Sequence, residues 1–338
     1  MQLLIEAANI TLAVADGHIT EPSGHFDHVI RIPFCELRPG LINAHDHLHR
    51  NHYGRLGAPP YANAYEWADD IQKRFAAEIA RGRTMPRRQS LLRGAWKNLL
   101  AGVTHVVHHD SWEPDFENDF PINVVRLANA DSLGMSADFV LPRGAPFALH
   151  VAEGIDQAAA DEVRTLADRG LLSRDLIAVH VVGPDADGVA RLRASGCAVV
   201  WCPTSNRFLF GSTTPETLLA NGMDVLLGTD SLLTCDGTLL DELRAICGVI
   251  SDARLLDAVG PLAARRLGIA EPALTIGAPA NLVAFRKPVL NAELKDVAFV
   301  MTSGVLRVLD PEHVPNVESG QIIEWNGVRR WIGEKEPL

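Results

Sequence analysis

Apolar and polar positions along the chain fall into two textures. From residue 2 to 40, short β-like runs (Leu3 to Ile5, Ile10 to Val14, Val29 to Ile32) are separated by Gly, Asp and Pro turns, and no helical period appears. The same texture returns after residue 270, in Leu274 to Gly277, Ala280 to Phe285, Val297 to Met301 and Val305 to Val308. Both ends of the chain, 1–40 and 270–338, are therefore expected to build one small sheet domain. Between them, over 41–269, apolar runs that read as strands (41–47, 103–109, 122–126, 147–151, 176–182, 198–202 and 225–229) alternate with helical patterns. The helices are expected at about 63–81, 86–101, 156–170, 186–196, 238–250 and 252–267. Pro86 suits a first helical turn and Asp156 an N-cap.

Near-continuous apolar strands separated by helices predict an α/β body with a parallel sheet and right-handed crossovers. Its length is that of a closed (β/α)8 barrel, about 250 residues. The segment from His109 to His150 has room for only one and a half strand-helix units of about 30 residues each. The barrel is therefore expected to be abbreviated between its second and fifth strands.

Composition narrows the function. With 338 residues, 47% of them hydrophobic and 22% charged, the chain can bury a large core. Neither a basic and apolar leader nor an uncharged stretch of bilayer length is present in the sequence, so a soluble, unprocessed protein is expected. Five cysteines without a C-x-x-C pair point to reduced thiols and a cytoplasmic location. A balance of 31 basic against 42 acidic residues, net −11, opposes nucleic acid and anionic membrane as partners and leaves a small molecule. A homo-oligomer is compatible with the chain's size, and no sequence feature demonstrates one.

The chemistry gathers where the strands end. The first strand closes on His45-Asp46-His47, and later runs close on His108-His109-Asp110, His150-Val151-Ala152-Glu153, His180 and Gly228-Thr229-Asp230-Ser231. In a parallel barrel these ends meet at one face. Residues two apart on a strand share a side, so His45 and His47 can offer a nitrogen each to one cation while Asp46 faces the helices. His150 and Asp230 complete a shell of four that leaves a position open for water, as a catalytic site requires. His49 and His52 follow in the loop and belong to the pocket rim or to solvent, not to the metal.

The ordered set Pro39-Gly40-Leu41-Ile42-Asn43-Ala44-His45-Asp46-His47, Gly102-Val103-Thr104, His150-Val151-Ala152-Glu153, His180, Cys202-Pro203-Thr204-Ser205-Asn206 and Gly228-Thr229-Asp230-Ser231 resembles the amidohydrolase superfamily. Within it, the match is to the branch of cytosine, guanine and S-adenosylhomocysteine deaminases and chlorohydrolases. The resemblance covers about residues 1 to 285. It implies a (β/α)8 barrel with a β-sandwich from both termini, with His45, His47, His150 and Asp230 as metal ligands. It further implies Glu153 as proton shuttle and His180 as the residue orienting the attacking water. The short segment after His109 and the His105, His108 and His109 cluster depart from the family pattern.

Two-metal members of that superfamily bridge the ions with a carboxylated lysine, and this chain has no lysine between Lys97 and Lys287. Glu113 and Glu117, the acidic substitutes available, lie in a proline-containing acidic loop. One divalent ion is expected, zinc foremost, with Fe(II) and Mn also suited to the ligands. The expected reaction is deamination of an amino-substituted heterocycle of purine, pyrimidine, pterin or triazine type. Hydrolysis of an amide or carbon–halogen bond at the same site is the alternative, and an inactive scaffold the remote one. Arg55, Trp67, His109 and Asn206 are the candidate substrate contacts.

Overall fold

The computed structural model describes residues 2–135, 142, 144–220, 222–314 and 320–333. Its body is a ring of parallel strands. Leu41–Asp46, Val103–His108 and Asn123–Val125 pair in that order, and Ala128–Ala130, Phe147–Val151, Leu176–His180, Ala198–Trp201 and Asp224–Leu227 continue it. The ring closes where the backbone N–H groups of Thr229 and Asp230 donate to the carbonyl oxygen of His45 at 3.0 and 3.1 Å.

The middle of the barrel is abbreviated as the residue count predicts. Asn123–Val125 and Ala128–Ala130 follow one another with only Arg126 and Leu127 between, the first pairing with Val103–His108 and the second with Phe147–Val151. One bent strand thus links the two sheets. Among the described residues, only the short 3₁₀ turn Pro114–Glu117 stands between the second strand and this bend.

Leu41–Asp46, Phe147–Val151, Leu176–His180 and Ala198–Trp201 are buried throughout, which is why they read as continuous apolar runs. Ile42, Ala44, Val107, Ala148, Ile177, Val200 and Leu226 fill the barrel interior together with Ala263, Ala264 and Leu267 of the helix Pro261–Leu267. A second layer, including Leu91, Trp96 and Leu99 of Arg87–Leu100 and Val163 and Leu166 of Gln157–Asp168, packs outside. Asp156 accepts from Ala159 N at 3.0 Å and caps its helix as the sequence predicts.

Several helix boundaries differ from the expectation. The run 63–81 divides into Ala64–Arg74 and Ala76–Gly82, and 252–267 divides at Gly260-Pro261, where proline starts a new first turn instead of continuing the helix. The helix Pro203–Phe210 adds to the expected set, with Pro203 in its first turn.

Both termini form β-sheets. Gln2–Ala7, Thr11–Ala15, His18–Thr20 and His28–Ile32 make one, and Glu36–Pro39 joins five strands between Leu282 and Ile332 in another. The two sheets share a core that includes Ile5, Ile30, Leu37, Ala284, Phe299 and Met301. No helix among the described residues is long and apolar enough to cross a membrane.

Candidate metal centre

The first barrel strand sets two faces by its irregularity as much as by its period. Its pairing with Val103–His108 shifts between Asn43 and Asp46, and this bulge turns both of those side chains toward the helix Arg87–Leu100. There Asn98 Nδ2 donates to Asp46 Oδ2 at 2.7 Å, Asn43 Nδ2 donates to Asn98 Oδ1 at 2.8 Å, and Lys97 Nζ lies 2.9 Å from Asp46 Oδ2. His45 and His47 are left facing the opposite side. The 3₁₀ turn Leu48–Arg50 then ends the alternation, so His49 leaves that row.

Three further strand ends converge beside this pair. The ring centroid of His45 lies 5.0 Å from His47, 5.2 Å from His150 and 5.4 Å from His180. Asp230 Oδ1 is 3.8 Å from His45 Nε2 and 3.7 Å from His47 Nε2. One ligating nitrogen from each of His45, His47 and His150 lies within 4.8 Å of the others. The strand ends reach these positions through left-handed backbone at Ala152 (φ 48°), His180 (φ 70°) and Asp230 (φ 56°), a conformation that L-residues adopt only where surrounding contacts hold them. Glu162 Oε2 takes the Ala152 N–H at 2.7 Å, and Thr214 Oγ1 donates to the His180 carbonyl at 2.6 Å.

Carboxylates behind the rings decide which nitrogens face the centre. Asp110 Oδ2 lies 2.7 Å from His47 Nδ1 and Asp131 Oδ1 lies 3.0 Å from His150 Nδ1, so each ring places its N–H outward and turns Nε2 inward. Asn206 Oδ1 accepts from His180 Nδ1 at 2.8 Å with the same effect. The second oxygen of Asp230 is occupied by Ser205 Oγ at 2.8 Å and Thr234 Oγ1 at 2.6 Å, leaving Oδ1 for the histidines. Both ring nitrogens of His45 and Nε2 of His150 are buried without a hydrogen-bond partner. Buried polar atoms are ordinarily satisfied. Orphan imidazole nitrogens beside a carboxylate oxygen fit a divalent cation with nitrogen and oxygen preference.

The electrostatics agree with that donor set. Burial, with the neighbouring imidazoles, holds His45 well below the ordinary histidine range, and burial with Arg50 and the nearby imidazoles does the same for His47. Burial also opposes charge on His150, but Asp131 and Glu153 outweigh it and lift the ring to about 9. The proton so held at Nε2 is the one a cation there would replace. Glu153 is pushed up to about 8 by burial and the Asp230 and Asp131 charges, against the pull of His150. Its Oε1 lies 3.5 Å from His180 Nε2. Burial, with His150, lowers His180 to about 4, so its imidazole is neutral.

A cavity of about 660 Å³ opens above this cluster, with His47, His150, Glu153, His180 and Asp230 on its surface. Trp67, Ile71 and Leu233 give it apolar walls, and Arg50, Arg83 and Arg87 give it a cationic side. The indole N–H of Trp67 donates to Leu56 O at 2.9 Å.

None of the other three expected contacts is on the cavity lining. His109 stacks on His150 at 4.3 Å and 11° and points Nε2 at Ala130 O, 2.8 Å away, so it packs against the His150 ring. Asn206 is buried and spends its carbonyl on His180. Arg55 lies outside the cavity lining, 2.9 Å from Asp236 and over the Phe208 ring, because its loop turns it to the surface. His49 and His52 line the cavity as the rim reading predicts, His52 Nε2 lying 3.0 Å from Gly82 O. Sequence reasoning missed the orienting roles of Asp110 and Asp131. The first was visible as the acid ending His108-His109-Asp110, whereas the second follows a strand too short to read.

No family model matches the chain. A stretch of 71 residues is 42% identical to an aminodeoxyfutalosine deaminase of Deinococcus radiodurans, covering 21% of this chain and 17% of that protein. Another of 107 residues is 35% identical to a 5-methylthioadenosine/S-adenosylhomocysteine deaminase of Teredinibacter turnerae, covering 30% and 24%. The matched stretches thus span about a fifth of the length of these curated relatives. Among solved structures, an adenosine deaminase from Xanthomonas campestris with bound zinc superposes with TM-score 0.61 at 18% identity, covering 94% of both chains. An atrazine chlorohydrolase from Arthrobacter aurescens complexed with zinc superposes with TM-score 0.68 at 15% identity, covering 94% of this chain and 97% of that one.

Proposed function

We propose that this chain, which has the fold of the amidohydrolase superfamily, binds one divalent metal ion, zinc foremost, and hydrolytically deaminates an amino-substituted heterocycle. The observation that carries the reading is the gathering of His45, His47, His150 and Asp230 around orphan nitrogens, with Glu153 and His180 beside them on one cavity floor. A bound divalent ion would supply a Lewis acid that brings the pKa of water from 15.7 toward about 7.

The chain's own residues divide the remaining work. His180, neutral and fixed through Nδ1 by Asn206, orients the attacking water through Nε2. Asp230 takes a proton from that water as the new C–O bond forms at the ring carbon. Glu153, which burial pushes up to about 8 in the metal-free chain, gives a proton to the departing amino nitrogen, and the C–N bond breaks to release ammonia. One proton accepted and one donated balance the step. His109 and Asp131 hold His150 in place and touch no reacting atom.

For the substrate we favour an adenine nucleoside with a large substituent. One stretch of sequence similarity falls on a deaminase named for 5-methylthioadenosine and S-adenosylhomocysteine. A volume of about 660 Å³ exceeds the needs of a bare ring and suits a drug-sized ligand. Arg83 on the cavity lining, whose guanidinium donates to the neutral Gln72, favours an anionic group on that substituent, whereas Arg50 and Arg87 are already paired with Asp110 and Glu113.

The test is a panel of adenine nucleosides, aminopyrimidines, aminopterins and chlorotriazines given to metal-loaded protein, with ammonia and chloride assayed together. Ammonia from the adenine nucleosides is expected. Chloride from the triazines without ammonia from any amine would overturn the reading in favour of a halide-releasing hydrolase.

A further inference from the structure

Lys97 has no part in the chemistry above, yet it is among the most buried side chains of the barrel, with 1% of its side chain exposed. From the helix Arg87–Leu100 its Nζ reaches three acceptors: Asp46 Oδ2 at 2.9 Å, Thr229 Oγ1 at 3.2 Å and the backbone oxygen of Asp230 at 3.4 Å. Asp46 is the residue between His45 and His47, and the other two acceptors lie in the turn that presents Asp230. One ammonium therefore ties the strand carrying two candidate ligands to the turn carrying another.

The turn needs such a tie. Asp230 sits at φ 56°, in a region an L-residue leaves unless it is held. Its N–H and that of Thr229 are fixed on His45 O. Its carbonyl is fixed by Lys97 Nζ and by Thr229 Oγ1 at 3.0 Å, and the same hydroxyl lies 3.2 Å from Asp46 Oδ2. Buried ion pairs add little net stability over apolar replacements of similar size, and their best-attested use is to fix register. Here the register is that of the first strand against the last.

We propose that Lys97, paired with Asp46, is a positioning residue that sets the Asp230 carboxylate against His45 and His47, so that metal affinity depends on a helix side chain that touches no ligand atom. This rests on reading those residues as a divalent-metal site. Its consequence is that the four-residue donor set is preorganised from outside the barrel, through Lys97, Asp46 and Thr229 in sequence.

The experiment compares wild type with the double variant Lys97→Met/Asp46→Asn, in which both charges leave together so that no lone buried charge remains. Zinc affinity is measured by competition with a chromophoric chelator, the Co(II) d–d spectrum is recorded, and metal-free melting temperature serves as the control. The expected result is a melting temperature close to wild type, zinc affinity lower by about 10- to 100-fold, and a Co(II) band altered by loss of carboxylate ligation. Thr229→Val, which keeps the ion pair and removes only the hydroxyl link, should move affinity in the same direction by a smaller factor, and it decides the matter if the double variant does not fold. Unchanged affinity and an unchanged Co(II) spectrum in these variants would overturn the positioning role and leave the metal site standing. A wild-type protein that takes up no metal would instead overturn the reading beneath it.

Discussion

Asp131 Oδ1 lies 3.0 Å from His150 Nδ1, and the other nitrogen of that ring is buried with no partner. The carboxylate thus does two things: it fixes the ring's orientation and keeps the N–H on the outer nitrogen. Asp131→Ala should lower metal affinity by about 10- to 100-fold while the fold persists, because outer carboxylates of this kind raise ligand basicity and hold the ring in place. A chelator competition assay on the variant checks this, and wild-type affinity would show that the pair is incidental.

Glu153 is 8% exposed and lies within 4 Å of both His150 and His180 without being one of the four proposed donors. Glu153→Gln keeps the shape and removes the transferable proton. Turnover should fall by roughly 100- to 10,000-fold with metal content unchanged. Elemental analysis beside steady-state kinetics checks both halves, and retained turnover at full metal occupancy would remove Glu153 from the proton path.

The cationic wall gives a specificity prediction. Arg83 lines the cavity and its Nη2 donates to the neutral Gln72 Oε1 at 3.1 Å. Arg83→Met should raise KM about tenfold for adenine nucleosides bearing a carboxylate or phosphate, the scale of one charge-assisted hydrogen bond. KM for neutral nucleosides should stay as it was. An equal rise for both classes would mean that Arg83 shapes the wall without reading charge.

A buried carboxylate away from the chemistry should govern pH-dependent stability. Glu242 accepts from Thr204 N at 3.0 Å and from the Thr204 hydroxyl, and burial pushes it up from 4.5 to about 8. The folded protein therefore binds this proton more tightly than the unfolded chain. The stability it brings is complete below pH 4.5 and is lost as pH rises toward 8. Glu242→Gln carries no such charge, so its melting temperature relative to wild type should climb across that interval. Thermal melts at several pH values check the slope, and a constant difference would contradict it.

Much of the barrel was legible because its strands are buried on both faces and their ends carry polar residues. His45, His47, His150, His180 and Asp230 stood out by position alone, whereas the roles given to Glu153 and His180 came from family resemblance. Asp131 was hidden because its strand, Ala128–Ala130, is three residues long and follows a bend that no period marks. Asn206 and His109 were read as substrate contacts because a strand end does not say which way a second-row side chain turns. In this fold both were drawn inward, to His180 and to His150. Lys97 was noticed only as the last lysine before a long gap, since a helix position gives no hint of a partner on the first strand.

The most direct measurement of the central claim follows the oxygen and the nitrogen together. Metal-loaded protein turns over an adenine nucleoside in oxygen-18-labelled water, with ammonia assayed and the product analysed by mass spectrometry, beside chelator-stripped protein as control. Hydrolytic deamination at this centre predicts one labelled oxygen in the product for each ammonia released, and none of either from stripped protein until zinc is restored. Ammonia release that persists without metal, or a product whose oxygen carries no label, would contradict the account.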